Sequence, residues 1–256
     1  MKTRYRVYID GVPLDTMDKN IYITDIEEGS PDMETETAQI IGHGMRVVSQ
    51  FTNSMDVTVY FMLRDYSTFK RQRSLDNIKQ WARGNVLTAS HRPGKRLHVV
   101  VKDYPNVSAL RWTDTLAITF TATNPPYWEE EAPSIATIES NRASAEIEVP
   151  GTAEYTECDL RITAKGVVNG LKITTPLSVF QLHKLNMDAG DVLTIDHDDS
   201  NRIRMMVTSV DGETYSIYNH RTAESDDEIR VPCGAKSTIT KMGNADYEIR
   251  ARGRWI

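Results

Sequence analysis

Only two cysteines, Cys158 and Cys233, occur in a chain of 256 residues. So low a thiol content argues against a disulfide-built secreted scaffold and fits synthesis in a reducing cytoplasm. No apolar run approaches the ~20 residues that a membrane span needs, so no membrane association is expected. The first ten residues, Met1 to Asp10, are charged within a β pattern and lack the apolar core of a signal peptide. Nor is there a basic excess. Lys and Arg total 30 against 36 Asp and Glu, and the net charge of −6 speaks against general affinity for nucleic acid.

The chemistry-bearing motifs are equally sparse. No Gly-x-Ser-x-Gly elbow positions a nucleophile. The six histidines stand singly, none at metal-ligand spacing to a cysteine or to another histidine. Asp196-His197-Asp198-Asp199-Ser200-Asn201 is acidic enough to evoke a calcium loop. It lacks the Gly and terminal Glu of an EF-hand and is flanked by strand patterns, so it reads as a solvated hairpin turn. Gly234-Ala235-Lys236-Ser237 lacks the Gly before Lys and the following helix of a phosphate loop. Carboxylates are plentiful, but sequence alone leaves open which of them face one another, so a glycosidase pair is unconstrained. No catalytic, cofactor-binding or metal residue is assigned, no cofactor is expected, and the chain does not read as an enzyme.

What is present is β pattern in two halves. The length suits two domains of roughly 120–130 residues, each able to hold a core. In the first, Tyr5, Val7 and Ile9 alternate with polar or amphipathic neighbours and run into the turn Asp10-Gly11. Ile21–Thr24 is a second strand. Glu27 to Thr37 is too polar to bury and is expected to be a long loop or excursion, and Gly42-His43-Gly44 breaks the segment after it. Met55, Val57, Val59, Phe61 and Leu63 then alternate cleanly as a strand. The period changes at Ser67–Trp81, where Phe69, Leu75, Ile78, Trp81 and Ala82 recur at near-helical spacing. Ser67 or Ser74 is the candidate N-cap and Gly84-Asn85 the stop. Leu97–Val101 returns to β. Leu116, Ile118 and Phe120 share one strand face, and Asn124-Pro125-Pro126 ends that strand ahead of Tyr127-Trp128. Glu129-Glu130-Glu131 and Ala132-Pro133-Ser134 read as a linker.

The second half has short strands at regular spacing, with one weak helical segment near Ser178–Lys184. Ala145–Val149, Cys158–Ala164, Val192–Ile195, Ile203–Val207 and Tyr247–Arg250 are among them. This spacing indicates a β-sandwich or a jelly roll.

Charge is unevenly placed. Arg64, Lys70, Arg71, Arg73, Lys79, Arg83, Arg92, Lys95 and Arg96 cluster against only Asp65 and Asp76, whereas Glu27–Glu36 and Glu129–Glu131 are acidic. One reading is a solvated helix face beside solvated loops. The other is self-association, a basic face on one subunit meeting an acidic segment on the next. No nucleic-acid reader motif accompanies the basic cluster. Trp81, Trp112 and Trp128 read as core residues near strand ends. Trp255, after Arg250, Arg252 and Arg254, reads as an interface residue or as the end of the last strand.

Several of these features together resemble the distal tail protein family of long-tailed phages. In the first half they are Trp81-Ala82-Arg83-Gly84-Asn85, Arg92-Pro93-Gly94-Lys95-Arg96-Leu97 and the closure Asn124-Pro125-Pro126-Tyr127-Trp128. In the second they are Gly151-Thr152-Ala153, Ala189-Gly190-Asp191-Val192-Leu193-Thr194-Ile195-Asp196 and Val231-Pro232-Cys233-Gly234. The resemblance implies a mainly β fold, with an N-terminal β domain carrying one inserted α-helix and a C-terminal galectin-like β-sandwich. Residues 1–130 would build a ring that attaches to the tail tube, and 131–256 would be the outward-facing sandwich. The implied protein is a structural part of the virion tail tip, made in the host cytoplasm, a hexameric ring. Its implied partners are the major tail tube protein, the tail-tip hub protein and receptor-binding proteins, with no nucleic acid and no membrane. The loop that usually ends Pro-Gly-x-Asn reads Pro232-Cys233-Gly234-Ala235-Lys236-Ser237 here, and galectin sugar contacts find no position-by-position match. A different implied role for the second half is a carbohydrate-binding module that contacts host glycans through Trp or Tyr faces.

Overall fold

A computed structural model describes residues 5–40, 44–65, 67–105, 115–122, 125–197 and 203–256. The chain divides into two compact units, Met1–Trp128 with Ile256, and Glu129–Trp255.

The first unit opens with a hairpin of β1 (Val7–Ile9) and β2 (Val12–Pro13). Asp10 and Gly11 between them take φ of 50° and 77°, the left-handed pair that a two-residue hairpin turn with the native strand twist requires. The Asp10 carboxylate then accepts from the backbone N–H of Val86 at 2.9 Å, fastening the turn to the chain beyond the helix. In order follow β3 (Ile21–Glu28), β4 (Asp32–Ile40), β5 (Gly44–Leu63), α1 (Thr68–Trp81), β6 (Val86–Ala89), β7 (Lys95–His98), β8 (Val100–Asp103) and β9 (Thr115–Ala122). Two antiparallel arrangements result. One has the strand order β2-β1-β6-β7 and the other β3-β5-β9-β8, with β4 attached to β5 alone.

Alternation explains the second of these. Val57, Val59 and Phe61 oppose Phe120, Ile118 and Leu116, and all six are buried. The helix is capped by Ser67, whose side chain accepts from Lys70 N–H, and it buries Leu75, Ile78 and Trp81. Trp81 meets Phe120 edge-on at 6.2 Å and donates its indole N–H to the Val12 carbonyl at 2.7 Å, tying the helix to both arrangements.

Two expectations for this half are corrected. Glu27 to Thr37 is not a loop. β3 runs to Glu28, β4 starts at Asp32, and only Gly29-Ser30-Pro31 separates them. Glu34 and Thr35 leave opposite faces and are both exposed, so no apolar alternation is needed there and the polarity concealed the strand. Leu97–Val101 is interrupted at Val99, so β7 and β8 belong to different sheets. Gly42-His43, Trp112 and Asn124 lie outside the described residues.

β10 (Trp128–Glu130) begins where the first unit ends. The expected acidic linker is therefore part strand, and Glu129 is buried. The second unit continues with β11 (Ser134–Ile138), β12 (Ser144–Val149), β13 (Tyr155–Ala164), β14 (Val168–Thr174), β15 (Val179–Met187), β16 (Val192–His197), β17 (Ile203–Thr208) and β18 (Thr214–Ser216). It closes with β19 (Arg230–Pro232), β20 (Ala235–Met242), β21 (Ala245–Ala251) and β22 (Arg254–Trp255). One antiparallel sheet is ordered β11-β21-β13-β16-β17-β18, with β19 beside β13, and the other β12-β20-β14-β15. Both feed one core in which Ile147, Ile162, Phe180, Ile195 and Tyr247 are buried together. Asp196 and His197 of the acidic segment end β16, paired with Arg204 and Ile203 of β17, and its remaining residues lie outside the described residues.

Ser178–Lys184 is not helical but lies largely within β15. Buried Phe180, Leu182, Leu185 and Met187 follow a 2-3-2 spacing because Lys184 turns left-handed (φ 53°) and the register with β14 shifts between Val168 and Gly170. A bulge therefore imitated helical periodicity.

Candidate functional site

The longest strand carries a two-stranded arm of the first unit. β5 has 20 residues. Its second part, from Met55 to Leu63, lies between β3 and β9. Its first part, from Gly44 to Ser54, pairs only with β4 among the described residues. The two form an arm that extends past the sheet. Glu34 and Thr35 are neighbours on β4, so their side chains leave opposite faces of the ribbon, and both are exposed. Register shifts at Asp32/Met33 and Glu36/Thr37 add local twist. A two-stranded ribbon is marginally stable by itself in water, which makes this arm a surface prepared for a partner.

The base of the arm is held firmly. Gly29 N–H donates to the Asp56 carbonyl at 2.8 Å. Glu28, the last residue of β3, receives Arg92 through Nε on Oε1 at 3.2 Å and through Nη2 on Oε2 at 2.6 Å, and His91 Nε2 sits 2.5 Å from the same Oε1. The Arg92 guanidinium lies 5.9 Å from the centre of the fully buried Trp128 ring. His91 meets Trp128 and Tyr5 edge-on. Burial works against the charged Glu28 carboxylate. The hydrogen bonds from His91 and Arg92 outweigh it and pull its pKa down to about 2.

The outward face of α1 is the second unfilled surface. Phe69 is 79% exposed in the first turn. Lys70, Arg73, Lys79 and Arg83 surround that face, and none of them makes an ion pair among the described residues. Arg71, also counted in the basic cluster, is instead buried and donates to the Asp65 carbonyl. An open groove flanks the helix's C-terminal half, with Ile9, Val12, Met17 and Trp81 as apolar lining and Asn77 and Gln80 as polar lining.

In the second unit the notable cluster is internal. Arg254, with its side chain 8% exposed, donates from Nε to Glu129 at 3.1 Å and pairs with Glu157 through Nη1. Burial disfavours the guanidinium charge, but the two carboxylates outweigh it and raise its pKa. The Arg254 carbonyl accepts from Thr152 and Ala153 N–H. Gly151 runs beside it at φ 140°, where an added Cβ would lie 2.2 Å from that carbonyl oxygen. Sequence reasoning missed this cluster, since only the Arg250/Arg252/Arg254 alternation pointed to it. Its carboxylates are bound to one cation and are not arranged as an acid and a base. Among the described residues no group of three or more His, Cys, Asp or Glu is placed to hold a metal. Cys158 is buried and Cys233 half-buried, both as free thiols. Trp81 and Trp128 are core residues, as expected; Trp255 is half-buried, and the exposed aromatics of this unit are Tyr215 and Tyr218.

Taken from end to end, the chain is similar in fold to solved phage proteins. The crystal structure of the SPP1 Dit (gp 19.1) protein, described as a paradigm of the hub adsorption apparatus in phages that infect Gram-positive bacteria, matches it with a TM-score of 0.71. The match covers 97% of this chain and 98% of that chain at 11% sequence identity. A chain of the phage P2 baseplate in its activated conformation with Ca matches with a TM-score of 0.51, over 99% and 98% of the two chains, at 8% identity. No protein-family model and no curated protein sequence matches the chain.

Proposed function

We propose that this chain is a distal tail protein, a structural part of a phage virion that joins the tail tube to the tail-tip or baseplate apparatus. The observation that carries this reading is the full-length likeness to the SPP1 Dit fold, which spans both units and leaves almost none of either chain unmatched. In this reading the first unit, with its arm and exposed helix, builds a hexameric ring bound to the tube protein on one side and the hub protein on the other. The second unit, two sheets around one core, is a galectin-like β-sandwich that faces outwards and holds receptor-binding or other baseplate proteins. The role is one of assembly and not of catalysis.

Negative-stain microscopy of the purified chain, alone at high concentration and mixed with its tube protein, tests the reading. Six-fold rings are expected, together with the protein's presence in purified particles. A monomer under every condition, with no trace in particles, would refute it.

A further inference from the structure

We infer that the β4–β5 arm of one copy docks on the outward face of α1 in the next copy. The acidic strand of the arm lies along Lys70, Arg73, Lys79 and Arg83, and the ribbon covers Phe69. This rests on the ring reading above and names the contact that builds the ring.

Each surface is incomplete within one copy, and each lacks what the other has. The arm presents exposed Glu34 and Thr35 on opposite faces, and among the described residues Glu34 accepts only from Asn53 of the same ribbon. Strand β4 contains Asp32, Glu34 and Glu36 with no Lys or Arg, and the returning segment up to Ser54 adds only Arg46. On the helix, Lys70, Arg73, Lys79 and Arg83 are opposed by Asp76 alone, and that carboxylate accepts from Gln72. A large aromatic left 79% exposed amid these cations is costly to hydrate and is the kind of anchor an interface buries.

The dimensions agree. From Lys70 to Lys79 the chain rises roughly 14 Å along the helix axis, and Arg83 lies just past the helix end. From Asp32 to Glu36 the strand covers about 13 Å, so the acidic segment fits inside the basic face. Because the donor and acceptor patches are different surfaces, the contact is head-to-tail. It propagates from copy to copy and closes into a ring when its rotation permits, which a self-complementary patch does not do. Exposed charges of this kind steer and register the contact, and salt screens them.

The test is sedimentation velocity of the full chain across protein and NaCl concentrations, with three variants. The first is Glu34→Lys with Glu36→Lys, the second Lys70→Glu with Arg73→Glu, and the third carries all four changes. Either reversal alone is expected to weaken association by about tenfold or more. The fourfold variant, or an equimolar mixture of the two double variants, restores it to near the wild-type value. Unchanged melting curves show that the altered surface residues leave the fold intact. If the wild type assembles and the reversals leave assembly unchanged, or if the fourfold variant recovers nothing, this contact is wrong while the ring reading stands. If the wild type stays monomeric with and without tube protein, the ring reading fails and the contact falls with it.

Discussion

Glu28 shows how one side chain can fix the base of a long appendage. It collects a bidentate arginine and a histidine at the last residue before the arm, and its pKa falls from 4.5 to about 2. A carboxylate depressed on folding stabilises the protein above its unfolded value. That contribution is lost as pH drops from about 4.5 through about 2. Thermal melts between pH 2 and 7 are expected to show Glu28→Gln less stable than the wild type at neutral pH, by roughly 1–2 kcal/mol after solvent screening. The two proteins should converge at the acid end. Arg254 makes the converse case. Arg254→Ala leaves Glu129 and Glu157 buried with no cation, at a cost of about 3–5 kcal/mol in urea denaturation. Replacing all three with Met and Leu side chains of similar volume is expected to recover most of that loss. If the triple variant proves no better than Arg254→Ala, the penalty lies in lost packing and not in stranded charge.

At the scale of the element, the arm and the strand that carries it separate what sequence reveals from what it hides. Met55–Leu63 was legible because one face is buried, and burial of one face writes a period of two into the chain. The helix was legible through its longer period and the Ser67 cap. β4 was not, because Glu34 and Thr35, on opposite faces, are both exposed, and such a stretch spells Thr and Glu much as a loop does. Lys184 hid β15 by shifting the apolar period, and Glu129 read as linker because its partner Arg254 stands 125 residues away. Replacing the arm from Glu36 to Ser49 with a tight Asn-Gly turn is expected to leave the melting temperature within about 2 °C. The same change abolishes assembly in sedimentation experiments. A large drop in melting temperature would mean that the arm supports the fold itself.

For the molecule as a whole, each unit carries its own pH-sensitive contacts. Burial lowers the His197 pKa, but Asp159, 3.0 Å from Nδ1, together with the charges of Glu157 and Glu228 more than offsets it, so it lies above its ordinary 6.5. A group raised on folding stabilises below its unfolded value, and that contribution disappears as pH rises through the folded value. Calorimetry from pH 5.5 to 8.5 should therefore show the second unit weakening on the alkaline side, a slope that His197→Gln flattens. On the acid side the depressed carboxylates Glu28 and Asp56 of the first unit and Asp246 of the second lose their contributions. Architecture is what persists at this scale. At 11% identity almost no side chain is shared with SPP1 Dit, yet 97% of the chain superposes, because alternation, turn geometry and burial tolerate wide substitution.

The length of β5 bears on mechanical load. The strand that forms half of the arm continues without interruption into the middle of the four-stranded sheet, bonded to β3 on one side and β9 on the other. Tension applied at the arm runs along the strand axis and meets those hydrogen bonds side by side, in shear. They must break together and cannot be unzipped one at a time. A tug on the arm is thus borne by the core of the unit, while the arm's own pairing with β4 opens first and acts as the compliant part. Force spectroscopy that pulls from the arm tip should record a soft early extension followed by a single high-force event.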